Sequence, residues 1–120
     1  MYRLNVKAEF SAAHRLVDYP GACSRIHGHN YTVRAAITAP DVDENGMVMD
    51  LMDFKTVLDE CVQQFDHRVI NEVKPFDQLN PTSETLAKYI YDYLAERLSV
   101  YVESVTVSEV DAFQVTYQPS

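Results

Sequence analysis

The chain opens with strict alternation. Tyr2, Leu4, Val6, Ala8, Phe10 and Ala12 share one parity, and Arg3, Asn5, Lys7, Glu9 and Ser11 share the other. A period of two predicts a half-buried strand over residues 2–17 with one wet face. Pro20 and Gly21 break it. A second strand is expected over 29–39, where Tyr31, Val33, Ala35 and Ile37 alternate with Thr32, Arg34 and Thr38. Asn45-Gly46 suits a hairpin turn, because both residues accept positive φ cheaply. It leads into the short segment Met47–Met49, whose methionines suit hairpin packing.

The period then changes. Phe54, Val57, Leu58, Cys61, Val62 and Phe65 recur at helical spacing, with Asp53 as the expected N-cap. A second helix is expected after Thr82, with Glu84 at the positive end of its dipole and Leu86, Ile90, Leu94 and Leu98 as its apolar stripe. Tyr89, Tyr91 and Tyr93 fall at mixed phases and suit packing or subunit contact. Strands over 102–110 and 113–117 close the pattern. The order is ββααββ, an α+β fold in which an antiparallel sheet carries two helices on one face.

Composition narrows the class. The chain has 120 residues, 47% of them hydrophobic, so 1–120 is expected to form a single domain. A monomer of this size buries about two-thirds of its unfolded surface. There is no 18-residue apolar run and no signal-peptide core, so a cytoplasmic protein is expected. The net charge of −8, with no cluster of Lys or Arg, argues against binding nucleic acid or membranes. In a reducing compartment Cys23 and Cys61 are expected to stay unpaired.

The chemistry concentrates at strand ends. His14 continues the inward parity of the first strand, and His27 and His29 carry the parity of Tyr31 and Val33. If the two strands pair, three imidazoles converge at one end of the sheet. Three neutral imidazoles with an open position form a catalytic zinc's ligand set. A single histidine on an apolar face is more often a packed core residue, so convergence is what makes this reading sharp. Gly28, between two of them, suits a place where the backbone bends or a ligand approaches.

Cys23 precedes His27 by four residues. It is a candidate base or nucleophile beside Arg25, a candidate fourth ligand closing a structural site, or an idle thiol. Cys61 falls on the first helix's apolar stripe and suits plain packing. Asp66-His67 follows that helix as a candidate proton relay, or as a histidine favoured by the helix dipole. Glu109 extends the inward face of Val105 and Val107. A carboxylate there needs a partner, either a cation of the chain or a ligand with a guanidine-like edge.

Taken together these residues resemble the 6-pyruvoyl-tetrahydropterin synthase family. The resemblance is carried by Phe10-Ser11-Ala12-Ala13-His14-Arg15, Cys23-x3-His27-Gly28-His29-Asn30-Tyr31, Phe65-Asp66-His67, Asn80-Pro81-Thr82-Ser83-Glu84 and the strand bearing Glu109. It implies the T-fold, with Zn2+ held by His14, His27 and His29. It implies Cys23 as catalytic base, Asp66 with His67 as a proton relay and Glu109 as the pterin anchor. It also implies a homohexamer built as a dimer of trimers, with active sites at subunit interfaces.

The three residues between Cys23 and His27 resemble the queuosine-pathway branch. That branch converts 7,8-dihydroneopterin triphosphate to 6-carboxy-5,6,7,8-tetrahydropterin with release of acetaldehyde and triphosphate. The alternatives are the pyruvoyl-forming branch, which only eliminates triphosphate, and a non-catalytic zinc module. A folate-route sibling is disfavoured, because Cys23 stands at the base position where that type has Glu. Arg68 departs from the pattern, since bacterial members often carry a second His there. Arg25, Arg68 and Lys74 are candidates to hold the triphosphate.

Overall fold

A computed structural model describes all 120 residues, Met1–Ser120. Four strands, β1 (Tyr2–His14), β2 (His27–Ala39), β3 (Tyr101–Val110) and β4 (Phe113–Tyr117), form one antiparallel sheet in chain order. Between β2 and β3 lie two helices, α1 (Leu51–Val62) and α2 (Ser83–Arg97). Short 3₁₀ turns occupy Ala22–Ser24 and Ile70–Glu72. The ββααββ order and the antiparallel sheet match the pattern read from the sequence. No helix is long and apolar enough to cross a membrane.

The alternation of β1 and β2 sets the core. Ala8, Phe10, Tyr31, Val33 and Ile37 face inward and are buried, and the helices lay Phe54, Leu58, Leu86, Ile90 and Leu94 over them. Burying each large aliphatic side chain stabilises the fold by about 1.5–3 kcal/mol. The hydroxyls of Tyr89 and Tyr91 bond Gln64 and the Val102 carbonyl, and Arg97 lies over the Tyr93 ring at 3.5 Å. These tyrosines pack, as their mixed phases suggest.

Several boundaries differ from the sequence reading. β1 ends at His14, not 17, because the backbone of Arg15 and Val17 bonds to side chains and that of Leu16 to the Cys23 carbonyl, and not to β2. β2 starts at His27, two residues early, because the ladder continues to the pair His14↔His27. The N-cap of α1 is Asp50, whose side chain accepts from the Met52 N–H, and Asp53 lies in the first turn. The apolar stripe misled here, since Leu51 and Met52 begin the helix on its exposed side. Asp43–Gly46 does turn, with Gly46 at φ 79, but Met47–Met49 forms no strand and runs into α1. Leu98 is the C-cap of α2 and lies outside the helix.

The cap of α2 is as expected and more complete. Thr82 and Thr85 form a reciprocal capping box, each side chain bonding the other's backbone N–H.

Candidate active site

β1 and β2 carry imidazoles on their inward faces. His14 pairs with His27 across the ladder, and Ala12 pairs with His29. The three rings therefore meet at one end of the sheet, with centroids 4.6, 5.3 and 4.9 Å apart. Their donor nitrogens all lie within 4.8 Å of one another. Beneath them Tyr31 stacks flat on Phe10 at 4.7 Å and meets His14 and His29 edge to face.

Protonation of two rings follows from their partners. His14 Nδ1 lies 2.7 Å from the Pro81 carbonyl, and His27 Nδ1 lies 2.7 Å from the Arg25 carbonyl. A carbonyl oxygen can only accept, so each Nδ1 carries the proton and each Nε2 keeps its lone pair. Those two Nε2 atoms stand only 3.1 Å apart. Two lone pairs that close repel unless a cation lies among them. His29 Nε2 is buried and has no hydrogen-bond partner. Burial depresses the pKa of His14, which keeps its ring neutral. A neutral His14, two Nδ1 atoms pinned by carbonyls, and a buried His29 Nε2 that makes no hydrogen bond together fit a metal held by three nitrogens. Neither cysteine belongs to this group of donors.

Glu109 stands beside it. Its carboxylate lies 3.4 Å from His29 Nε2 and 3.9 Å from His14 Nε2, and it accepts a bond from Ser83 Oγ at 3.0 Å. No Arg or Lys of the chain pairs with it, so the salt-bridge alternative has no cation to rest on. Cys23 sits in the 3₁₀ turn between β1 and β2 and is half-buried. Together with Glu109 and residues 82–84 it lines a cavity of about 280 Å³.

Asp66 and His67 take a different position. The turn after α1 docks on the outer edge of β1. Ser11 N–H donates to Asp66 Oδ1 at 2.9 Å, His67 N–H donates to the Ser11 carbonyl at 2.6 Å, and Ala13 N–H donates to the Arg68 carbonyl at 3.0 Å. His67 adopts φ 59 to make this contact. Its Nδ1 lies 3.0 Å from Asp66 Oδ2, while the ring is 82% exposed. The Ser11 N–H, and then His67, hold the Asp66 carboxyl below its usual range. The pair is thus preorganised, but His67 opens on a groove of about 480 Å³ that also includes Ser11, His29, Asn30 and Arg68 and does not include Cys23 or Glu109. Within one chain the structure joins His14, His27, His29, Glu109 and Cys23, and leaves Asp66–His67 outside that group.

Gly28 lies in ordinary strand backbone. A Cβ there would meet the Ala12 carbonyl at 3.7 Å, an ordinary contact, so the chain's own geometry does not demand glycine.

The sequence reading held residues 80–84 as a family motif and missed what its supporting residues do. Four consecutive positions each hold one part of the site. Asn80 bonds the backbone of Val17, the Pro81 carbonyl fixes His14, Thr82 caps α2, and Ser83 holds Glu109. Only the cap leaves a local signal in sequence.

The family model described as 6-pyruvoyl tetrahydropterin synthase matches residues 3–120. A protein of Archaeoglobus fulgidus named putative 6-carboxy-5,6,7,8-tetrahydropterin synthase is 39% identical over 106 residues, covering 88% of this chain and 86% of that protein. The Bacillus subtilis 6-carboxy-5,6,7,8-tetrahydropterin synthase is 33% identical over 115 residues, covering 91% and 76%. Among solved structures, the Caenorhabditis elegans 6-pyruvoyl tetrahydropterin synthase superposes with a TM-score of 0.89 at 30% identity, covering 99% of this chain and 96% of that one.

Proposed function

This chain belongs to the 6-pyruvoyl tetrahydropterin synthase family, and from that premise we propose that it is a lyase acting on a pterin triphosphate, namely a 6-carboxy-5,6,7,8-tetrahydropterin synthase. It takes 7,8-dihydroneopterin triphosphate and water to 6-carboxy-5,6,7,8-tetrahydropterin, acetaldehyde and triphosphate, as a cytoplasmic step of queuosine biosynthesis. Relatives of that name at 39% and 33% identity support this branch, as does the three-residue spacing from Cys23 to His27.

The observation that carries the reading is the set of three imidazole nitrogens converging beside Glu109 and the Cys23 cavity. His14, His27 and His29 would hold zinc. When bound, the ion supplies Lewis acidity toward hydroxyl oxygens of the substrate side chain. Glu109, with no cation of its own, takes the paired N–H edge of the pterin and fixes its orientation. Cys23 as thiolate removes a side-chain proton. His67, oriented by Asp66, moves the second. Since neither Asp66 nor His67 lines the cavity of Cys23 and Glu109, one copy's pair completes the cavity of a neighbouring copy in a homohexamer, a dimer of trimers.

Two readings compete. A structural zinc module needs Cys23 as fourth ligand, and its sulfur is not among the clustered donors. The pyruvoyl-forming branch is favoured by the likeness to the nematode enzyme. Incubation with 7,8-dihydroneopterin triphosphate, followed by mass analysis and an acetaldehyde assay, decides among them. Carboxytetrahydropterin with equimolar acetaldehyde is expected. A pyruvoyl product without acetaldehyde moves the protein to the other branch, and a metal-loaded protein without turnover returns it to the structural reading.

A further inference from the structure

Beyond His14 the chain leaves the sheet, yet its backbone stays paired. Arg15 N–H donates to Asn71 Oδ1 at 2.9 Å, and Asn71 Nδ2 donates back to the Arg15 carbonyl at 3.0 Å. Val17 N–H donates to Asn80 Oδ1 at 2.8 Å, and Asn80 Nδ2 donates back to the Val17 carbonyl at 3.1 Å. A carboxamide carries the same donor and acceptor as a peptide unit, so each asparagine stands in for one residue of a neighbouring strand. Between the two clamps, Leu16 N–H donates to the Cys23 carbonyl at 2.7 Å. The strap 15–17 is therefore held by two side chains, and Leu16 in its middle holds the backbone of the thiol residue.

We propose that Asn71 and Asn80 are positioning residues for Cys23. By fixing Arg15 and Val17 they set the direction of the Leu16 N–H, which anchors the Cys23 carbonyl and so holds the thiol in the cavity shared with Glu109. The proposal rests on the reading of Cys23 as the base. Neither asparagine lines that cavity, so neither acts there by touching substrate. Both come from distant parts of the chain, one from the turn after α1 and the other from the entry to α2. The strap also follows directly on the metal-facing His14, so the clamps keep thiol and imidazoles in one frame. Displacement of a reacting group by about 1 Å can cost on the order of 100-fold in rate.

The test uses the full-length, metal-loaded protein and the variants Asn71→Ala and Asn80→Ala. Four quantities are measured: metal content, melting temperature, kcat and KM for 7,8-dihydroneopterin triphosphate, and the pH profile of Cys23 alkylation by iodoacetamide. The expected result is retained metal, KM within about twofold, kcat lower by about 10- to 100-fold, and a displaced alkylation profile. Wild-type kcat, or an alkylation profile that superimposes on the wild type, overturns the proposal. Should an alanine variant fail to fold, Asn80→Asp keeps the acceptor for Val17 N–H while setting an oxygen against the Val17 carbonyl, and the same displacement is expected of it. Cys23→Ala separates the two readings. Full turnover in that variant removes Cys23 as base, while alkylation of the asparagine variants still judges the clamp.

Discussion

Tyr31 carries a hydroxyl that the fold buries without a partner. The residue has 0% exposure, and its phenol oxygen bonds to nothing. Burial, and next the Glu109 carboxylate, push its pKa above the ordinary 10.0, so the phenol is neutral at all physiological pH. An unpaired buried hydroxyl costs about 1–3 kcal/mol. Tyr31→Phe removes that cost and keeps the ring stacked on Phe10, 4.7 Å away and 6° from parallel. The void left by one oxygen, roughly 10–15 Å³, returns only about 0.3 kcal/mol. The net expectation is a stabilisation of about 1–2 kcal/mol, or a rise in melting temperature of roughly 4–8 °C. Urea titration is the assay, with the midpoint rising at unchanged m-value. A variant destabilised by more than about 0.5 kcal/mol would refute the reasoning, because the hydroxyl must then have a partner. Turnover on the same variant asks why the oxygen is there. A group retained at a cost to stability is expected to serve the site, so kcat/KM falls while the melt rises.

Chelation should lower the melting temperature. Free metal at about 100 times its Kd contributes about 2.7 kcal/mol, or roughly 10 °C, and His27→Ala should abolish that dependence. Identical melts with and without chelator would count against the metal site. Thr82→Ala breaks the capping box and should cost about 1 kcal/mol by urea titration; an unchanged midpoint would mean that the box carries none of the helix's stability. Burial pushes the Cys61 thiol from its ordinary 9.0 up to about 12. A raised pKa means that the unfolded chain releases this proton first, so the contribution is complete below pH 9.0 and erodes above it. Between pH 9 and 10 the loss approaches about 1.4 kcal/mol per pH unit. Cys61→Ala should flatten that part of the stability-versus-pH curve, and an unaltered slope would assign it to another group.

The parts of the molecule that were legible in sequence are those written in a local period. Alternation from Tyr2 to Ala12 gave the inward face of β1, and its continuation placed His14 among the apolar residues. The same parity in β2 set His27 and His29 beside it. Helical spacing found α1 and α2, and Thr82 announced its own cap. What failed was local competition, as with Asp50 and Asp53, either of which can cap a helix. Only the folded bond from the Met52 N–H to the Asp50 side chain reveals which one does. The supporting bonds were illegible for a different reason. Pro81 acts through its carbonyl, which every residue possesses, and Asn71 and Asn80 act on backbone brought near only by folding. The separation of Asp66–His67 from Cys23 was hidden too, because adjacency in the family pattern says nothing about which groove a side chain faces.

All three clustered imidazoles come from one pair of strands, and the loop 15–26 that joins those strands carries Cys23. An ion gripped by His14 and His27 would close that loop as a crosslink does, lowering the entropy of the open chain. Capture would need the rung beside the loop to be paired, since His14↔His27 is the loop-side end of the ladder. The rung that closes the loop and the trap for the ion would thus form in a single event, and a chain still unpaired at that end would have nothing with which to hold it.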